Sequence, residues 1–149
     1  MKKLLTTVMI IAFSYSYGQM TEVKEAEAET IGKIAPMGKL HIAIEKMDDE
    51  YKITFADAKY QYLDQYRSFK ISETDYDDLY NRIISGYNEI PETPVKLMLE
   101  EGGYLFLEFE KSFGVKNFRF NHSIDDNDET LAFSIWMTEK KLNRLFDKK

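Results

Sequence analysis

Tyr60, Tyr62 and Tyr66 crowd one short stretch, and Arg67 follows directly. In a regular strand the three tyrosines would share one face. Leu63, Phe69 and Ile71 would take the other. Both faces cannot meet the same core. Either a bulge near Asp64 shifts the parity, or the tyrosines face outward. Tyrosine beside arginine suits an interface, because both bury a large area and still hydrogen-bond. Tyr60, Tyr62, Tyr66 and Arg67 are therefore the candidate binding residues. The competing reading is that a tyrosine-rich helix covers them.

Catalytic chemistry is poorly represented. Paired carboxylates such as Asp77/Asp78 and Glu108/Glu110 could serve as acid and base, but a chain with 26 acids contains such pairs by composition alone. Glu108 stands out because its strand is otherwise apolar. Burial there would raise its pKa, and pairing with Lys or Arg would hold it down. The loop Asp125-Asp126-Asn127-Asp128-Glu129 offers oxygen ligands, yet it lacks the glycine and the spaced glutamate of a calcium loop. It reads as an acidic turn. His41 and His122 fall on opposite parities of their strands, and no His/Cys/carboxylate spacing supplies a zinc site. His122 reads as a partly buried, hydrogen-bonded side chain. No nucleophile elbow, zinc-protease helix, phosphate loop or dinucleotide fingerprint occurs. Gly102-Gly103 reads as a turn. Neither catalytic residues, metal nor cofactor is expected.

Residues 1–18 have the form of a cleaved signal peptide. Lys2 and Lys3 precede an apolar run from Leu4 to Phe13, and Ser16 and Gly18 are the small residues before the cut. The run is too short and too interrupted to span a bilayer. Cleavage after Gly18 moves the formal net charge from −6 to −8. The expected location is the periplasm or the medium. With no cysteine, the chain is read as neither a lipoprotein nor a disulfide scaffold. The acidic balance and the lack of a basic, aromatic-laced groove argue against nucleic acid. It leaves room for a basic partner, although moderate acidity also serves solubility.

Residues 19–37 lack aromatics and are rich in acids, so they are read as a flexible acidic tether. A single domain is expected over 38–149. Leu40, Ile42 and Ile44 alternate with polar neighbours, Asp48-Asp49 turns, and Tyr51, Ile53 and Phe55 complete a hairpin. A third extended stretch is expected from about Tyr60 to Ile71. Ser72 and Asp75 then mark a helix start, with a buried stripe at Tyr76, Leu79, Tyr80, Ile83, Ile84 and Tyr87 and an end near Gly86. After a link containing Pro91 and Pro94, four strands follow. Val95, Leu97 and Leu99 alternate in the first, Tyr104 to Phe109 is apolar on both faces as a central strand would be, Phe118, Phe120, His122 and Ile124 share one face of the third, and Leu131, Phe133 and Ile135 form the last. A final helix is capped by Thr138, stapled by Met137 and Leu142, and buries Leu142, Leu145 and Phe146.

The expected fold is α+β: a mostly antiparallel, twisted sheet of six or seven strands with two helices packed on one face. A small barrel closed by the last helix is the alternative. The F-x-I-x-x-T spacing at Phe69–Thr74 recurs at Phe133–Thr138 and suggests an old β-α duplication. The leading functional expectation is an exported, non-enzymatic protein that binds another protein. A small-ligand carrier, with a cavity lined by Phe106, Phe118 and Phe120, is the second. A carboxylate hydrolase is the third.

Overall fold

The structure, a computed structural model, describes residues 27–149. The signal segment and residues 19–26 lie outside the described residues. Within 27–149 the chain is α+β, with two antiparallel four-stranded sheets. Strands β1 (Glu29–Ile34), β2 (Ile42–Met47), β3 (Glu50–Ala56) and β4 (Tyr66–Ser72) form the first, in that order, and helix α1 (Glu73–Asn88) follows. Strands β5 (Val95–Met98), β6 (Tyr104–Ser112), β7 (Val115–Ser123) and β8 (Ala132–Phe133) form the second, and helix α2 (Glu139–Leu145) closes the chain. The plan of the first half repeats in the second.

The single six- or seven-stranded sheet is thus corrected to two sheets. The β4 edge does not pair with the second sheet through backbone ladders. Side chains bridge the gap instead: Lys70 N donates to Glu101 Oε1 (2.8 Å), and Arg67 Nη2 donates to the Thr130 carbonyl (3.1 Å). Beneath these bridges the apolar faces share one core. Phe69 of β4 sits edge-on to Phe120 of β7 at 5.7 Å, Phe55 packs on Phe69 at 6.5 Å, and Phe118 and Phe120 meet nearly perpendicular at 4.7 Å.

Helix α1 begins where expected. Ser72 Oγ accepts from Asp75 N (3.2 Å) and donates to Asp75 Oδ2 (2.8 Å), satisfying an otherwise orphaned helix donor. Tyr76, Leu79, Ile83 and Tyr87 are buried, with Tyr80 and Ile84 packed beside them. Gly86 does not end the helix. It lies buried inside it, where a Cβ would meet the Phe109 ring at 2.1 Å. Helix α1 touches β3 and β4 of the first sheet and β6 and β7 of the second, while α2 packs mainly on β1 and also reaches β2 and β7. Three tyrosines of α1 reach the C-terminal segment: Tyr76 Oη donates to the Phe146 carbonyl (3.0 Å), Tyr80 Oη to Asn143 Oδ1 (2.8 Å) and Tyr87 Oη to the Met137 carbonyl (2.7 Å). Met137 and Leu142 are buried as the staple requires, but the Thr138 side chain makes no capping hydrogen bond.

Four further expectations change. Residues 29–34, assigned to the tether, form β1, and Gly32 is the reason a strand fits there. A Cβ at Gly32 would lie 2.2 Å from the Leu145 carbonyl oxygen, so only glycine lets the α2 backbone close on this strand. The last strand is shorter than Leu131 to Ile135: β8 covers only Ala132–Phe133, Ala132 and Ser134 just past its end are buried, and Leu131, Phe133 and Ile135 are half-buried. Phe133 pairs opposite Asn121 and turns outward, and Ser134 Oγ accepts from Phe120 N (2.9 Å) where the ladder stops. Ile124 lies past the end of β7 and is exposed. The F-x-I-x-x-T match also falls two residues out of step, because the cap of α1 is Ser72, not Thr74, and that of α2 is Thr138.

His122 is buried on the inner face of β7, 5.5 Å from the Phe69 ring, and its Nδ1 has no hydrogen-bond partner. Burial lowers its pKa below the ordinary 6.5, the Arg67 charge lowers it further, and Glu101 pulls the other way. Well above pH 6.5 both folded and unfolded chains carry neutral imidazole, so the shift contributes nothing there. As the pH falls below that value the unfolded chain takes up a proton that the folded chain resists, and stability drops. Acidification from about pH 7.5 to about pH 5.5 should therefore lower the melting temperature of the wild type more than that of His122→Gln. Equal losses in the two proteins would show that His122 is not the titrating group.

Candidate docking surface

The tyrosine stretch is not one strand. Strand β4 starts only at Tyr66, and Ala58–Tyr60 form a single 3₁₀ turn. Between them the chain makes an outward excursion whose base is tightly closed. Asp57 N donates to the Gln65 carbonyl (2.9 Å), Tyr60 N to the Asp57 carbonyl (3.0 Å) and Leu63 N to the Tyr60 carbonyl (3.0 Å). The buried Asp57 carboxylate anchors the base. Its Oδ1 accepts from Lys59 N (3.0 Å), which caps the turn, and from Phe133 N (3.3 Å) of β8. The Lys59 ammonium donates to the Leu131 carbonyl and lies over the Phe133 ring. The excursion is thereby fastened to the second sheet. The sequence carried one local hint of Asp57, an aspartate before a turn.

The tips of this loop face solvent: Tyr62 is 97% exposed, Leu63 56%, and Tyr60 and Tyr66 44% each. Helix α1 does not cover them. Tyr60, Leu63 and Tyr66 border a groove of about 380 Å³ closed on other sides by His41, Asp57 and Ile135. Lys39 adds a polar rim, donating to the Gln61 carbonyl (3.1 Å) and standing 3.6 Å from Asp64. Arg67 is separate from this surface. Alternation along β4 turns it inward, toward Thr130 and His122. The structure groups Tyr60, Tyr62 and Tyr66 and sets Arg67 behind them.

A second surface had no counterpart in the sequence reading. On the outer face of the second sheet the Arg119 guanidinium lies between Phe133 (4.5 Å) and Trp136 (4.4 Å), and the Lys96 ammonium sits over Tyr104 (4.2 Å). Glu108 lies among them. It accepts from Arg119 Nε (2.8 Å) and Asn121 Nδ2 (2.7 Å). Partial burial pushes its pKa up, but those two hydrogen bonds and the Arg119 charge outweigh it, and the carboxyl lies below its ordinary range. Glu108 is held as a carboxylate by its pairing, not as a proton donor. Cations already occupy the aromatic faces here, so this surface is closed by its own side chains.

Other candidates are spent in local contacts. Asp126 holds Lys96 with both oxygens at 2.7 Å, Asp125 Oδ1 accepts from Thr130 Oγ1 (2.6 Å), and Asn127 Oδ1 accepts from Glu129 N (3.0 Å). Among the described residues no three His, Cys, Asp or Glu side chains gather as a metal site. Phe118 and Phe120 fill the core, whereas Phe106 points to the opposite face of the sheet beneath Lys96, so the three do not line a common cavity. No helix among the described residues is long and apolar enough to cross a membrane.

The fold and this loop define an α+β domain with a braced, solvent-facing tyrosine surface. No protein-family model, curated protein or solved structure matches the chain.

Proposed function

We propose that the protein is an exported, non-enzymatic binding module that docks a partner protein through the Tyr60–Tyr66 loop and its groove. The observation that carries this reading is the combination of exposure and bracing. Apolar and aromatic side chains stand in water on a loop whose base is fixed by Asp57. Such a loop loses little conformational entropy on binding, and its tyrosines bring large area with few rotors. The exposed apolar surface is costly to maintain unless a partner covers it. Export is supported by the N-terminal sequence pattern. The repeated sheet-then-helix plan supports, within the same proposal, descent of the two halves from one duplicated unit.

The test is a crosslinked pull-down of the tagged protein from its own cells and medium, comparing the wild type with Tyr62→Ala/Tyr66→Ala. A stoichiometric partner retained by the wild type, and lost or reduced about tenfold by the double variant, is the expected result. A partner held equally by both proteins would move the binding surface elsewhere.

A further inference from the structure

The tyrosine groove does not stop at His41 and Ile135. Both residues also line a second depression, of about 480 Å³, between the end of β1 and helix α2. Its apolar wall is Ile34, Ala35, Pro36 and Ile135, and its rim is Lys33, Lys141 and Arg144. No acid lines it. Lys33, Lys141 and Arg144 are exposed and have no ion-pair partner among the described residues, in contrast to Lys39, Lys46, Lys70, Lys96 and Lys148. This cationic end is notable on a chain of net charge −6.

The overall charge permits a basic partner, but the rim of this second depression is cationic. Resting on the docking role argued above, we infer that the partner presents an extended acidic segment. Its apolar side chains lie along Ile34, Pro36 and Ile135 toward Tyr60 and Leu63, and its carboxylates meet Lys33, Lys141 and Arg144. Arg144 offers a planar fork that fits a carboxylate with two hydrogen bonds, and the two lysines supply point charges on mobile stems. A nucleic acid would leave the apolar wall unused. The mixed wall and rim suit a peptide.

Selection from a phage-displayed random peptide library on the purified protein provides the probes, and fluorescence anisotropy with the synthesised peptides provides the readout. Selected peptides should be acidic with interspersed apolar residues. They should weaken about tenfold or more on Lys33→Gln/Lys141→Gln/Arg144→Gln, whose changes lie on the surface and spare the core. Raising NaCl from about 50 to about 300 mM should weaken the wild type and leave the triple variant nearly unchanged. Tyr62→Ala/Leu63→Ala should weaken both. Peptides without acidic bias, acidic peptides that bind the triple variant as tightly as the wild type, or no selected peptide at all would overturn the inference. Binding that the tyrosine variant weakens and the cation variant does not would keep the docking surface and remove only the acidic partner. Binding to anionic lipid vesicles in place of peptides would overturn it in favour of a membrane surface.

Discussion

Gly32→Ala should lower stability by about 3 kcal/mol or more, although it adds a single methyl group to a strand near the start of the fold. The new Cβ would stand 2.2 Å from the Leu145 carbonyl oxygen and 2.7 Å from that of Arg144. Both are backbone atoms, so no rotamer change relieves the clash. Helix α2 would have to lift away from β1. That movement uncovers Leu142, Leu145 and Phe146, all essentially inaccessible in the native fold, and it breaks the tyrosine hydrogen bonds from α1 to the C-terminal segment. Gly86→Ala is the informative comparison. Its Cβ would meet the far end of the Phe109 side chain, which is only partly buried and can rotate away. Gly86→Ala should cost less than Gly32→Ala. Thermal and urea denaturation of the two variants measures the difference. A Gly32→Ala protein that melts with the wild type would mean that α2 does not close on β1.

Ile83→Asp should abolish cooperative folding. Ile83 lies at the centre of the α1 stripe and is fully buried. The helix touches β3 and β4 of the first sheet and β6 and β7 of the second, and through Tyr76 and Tyr80 it reaches the C-terminal segment. A carboxylate at this position would be desolvated with no cation supplied. It would either stay charged at a cost of several kcal/mol or take up a proton at comparable cost. A domain of this size has roughly 5–15 kcal/mol in total, so a further loss of packing around the helix exhausts it. Loss of the near-ultraviolet circular dichroism and of any sharp melting transition is the expected result. A variant that kept the wild-type transition would show that the two halves do not share one core. Leu79→Asp, one turn away on the same stripe, should behave alike.

Both substitutions act on features that the sequence exposes to different degrees. Helix α1 was legible because its cap and stripe lie within one contiguous segment, where Ser72, Asp75 and the apolar spacing agree. The tyrosines were legible only as an open question: Tyr66 and Phe69 cannot both point inward along one regular strand, and local alternation does not choose between a bulge with the tyrosines covered and an outward-facing set. Long-range geometry was not legible. Whether β4 continues into a second sheet depends on pairing between segments far apart in the chain, which local alternation does not report. Gly32 looked like a residue of a loose tether because the reason for glycine is a helix carbonyl more than a hundred residues later. Alternation at Leu131, Phe133 and Ile135 reads as one strand, yet the ladder stops after Phe133, where the Ser134 hydroxyl accepts the Phe120 N–H and its small side chain turns inward. Lys33, Lys141 and Arg144 form a rim only after β1 and α2 come together. Net charge, a property of the whole chain, conceals a rim of opposite sign.

The docking role rests on Tyr62, the most exposed tyrosine of the loop, and it can be examined in the living cell. A photoreactive phenylalanine analogue placed at Tyr62 should form a covalent adduct with one partner protein on irradiation. The same analogue at Phe113, an equally exposed apolar residue on the β6–β7 turn, should form none. An adduct from Phe113 but not from Tyr62, or the same adducts from both, would contradict the assignment of the Tyr60–Tyr66 loop as the binding surface.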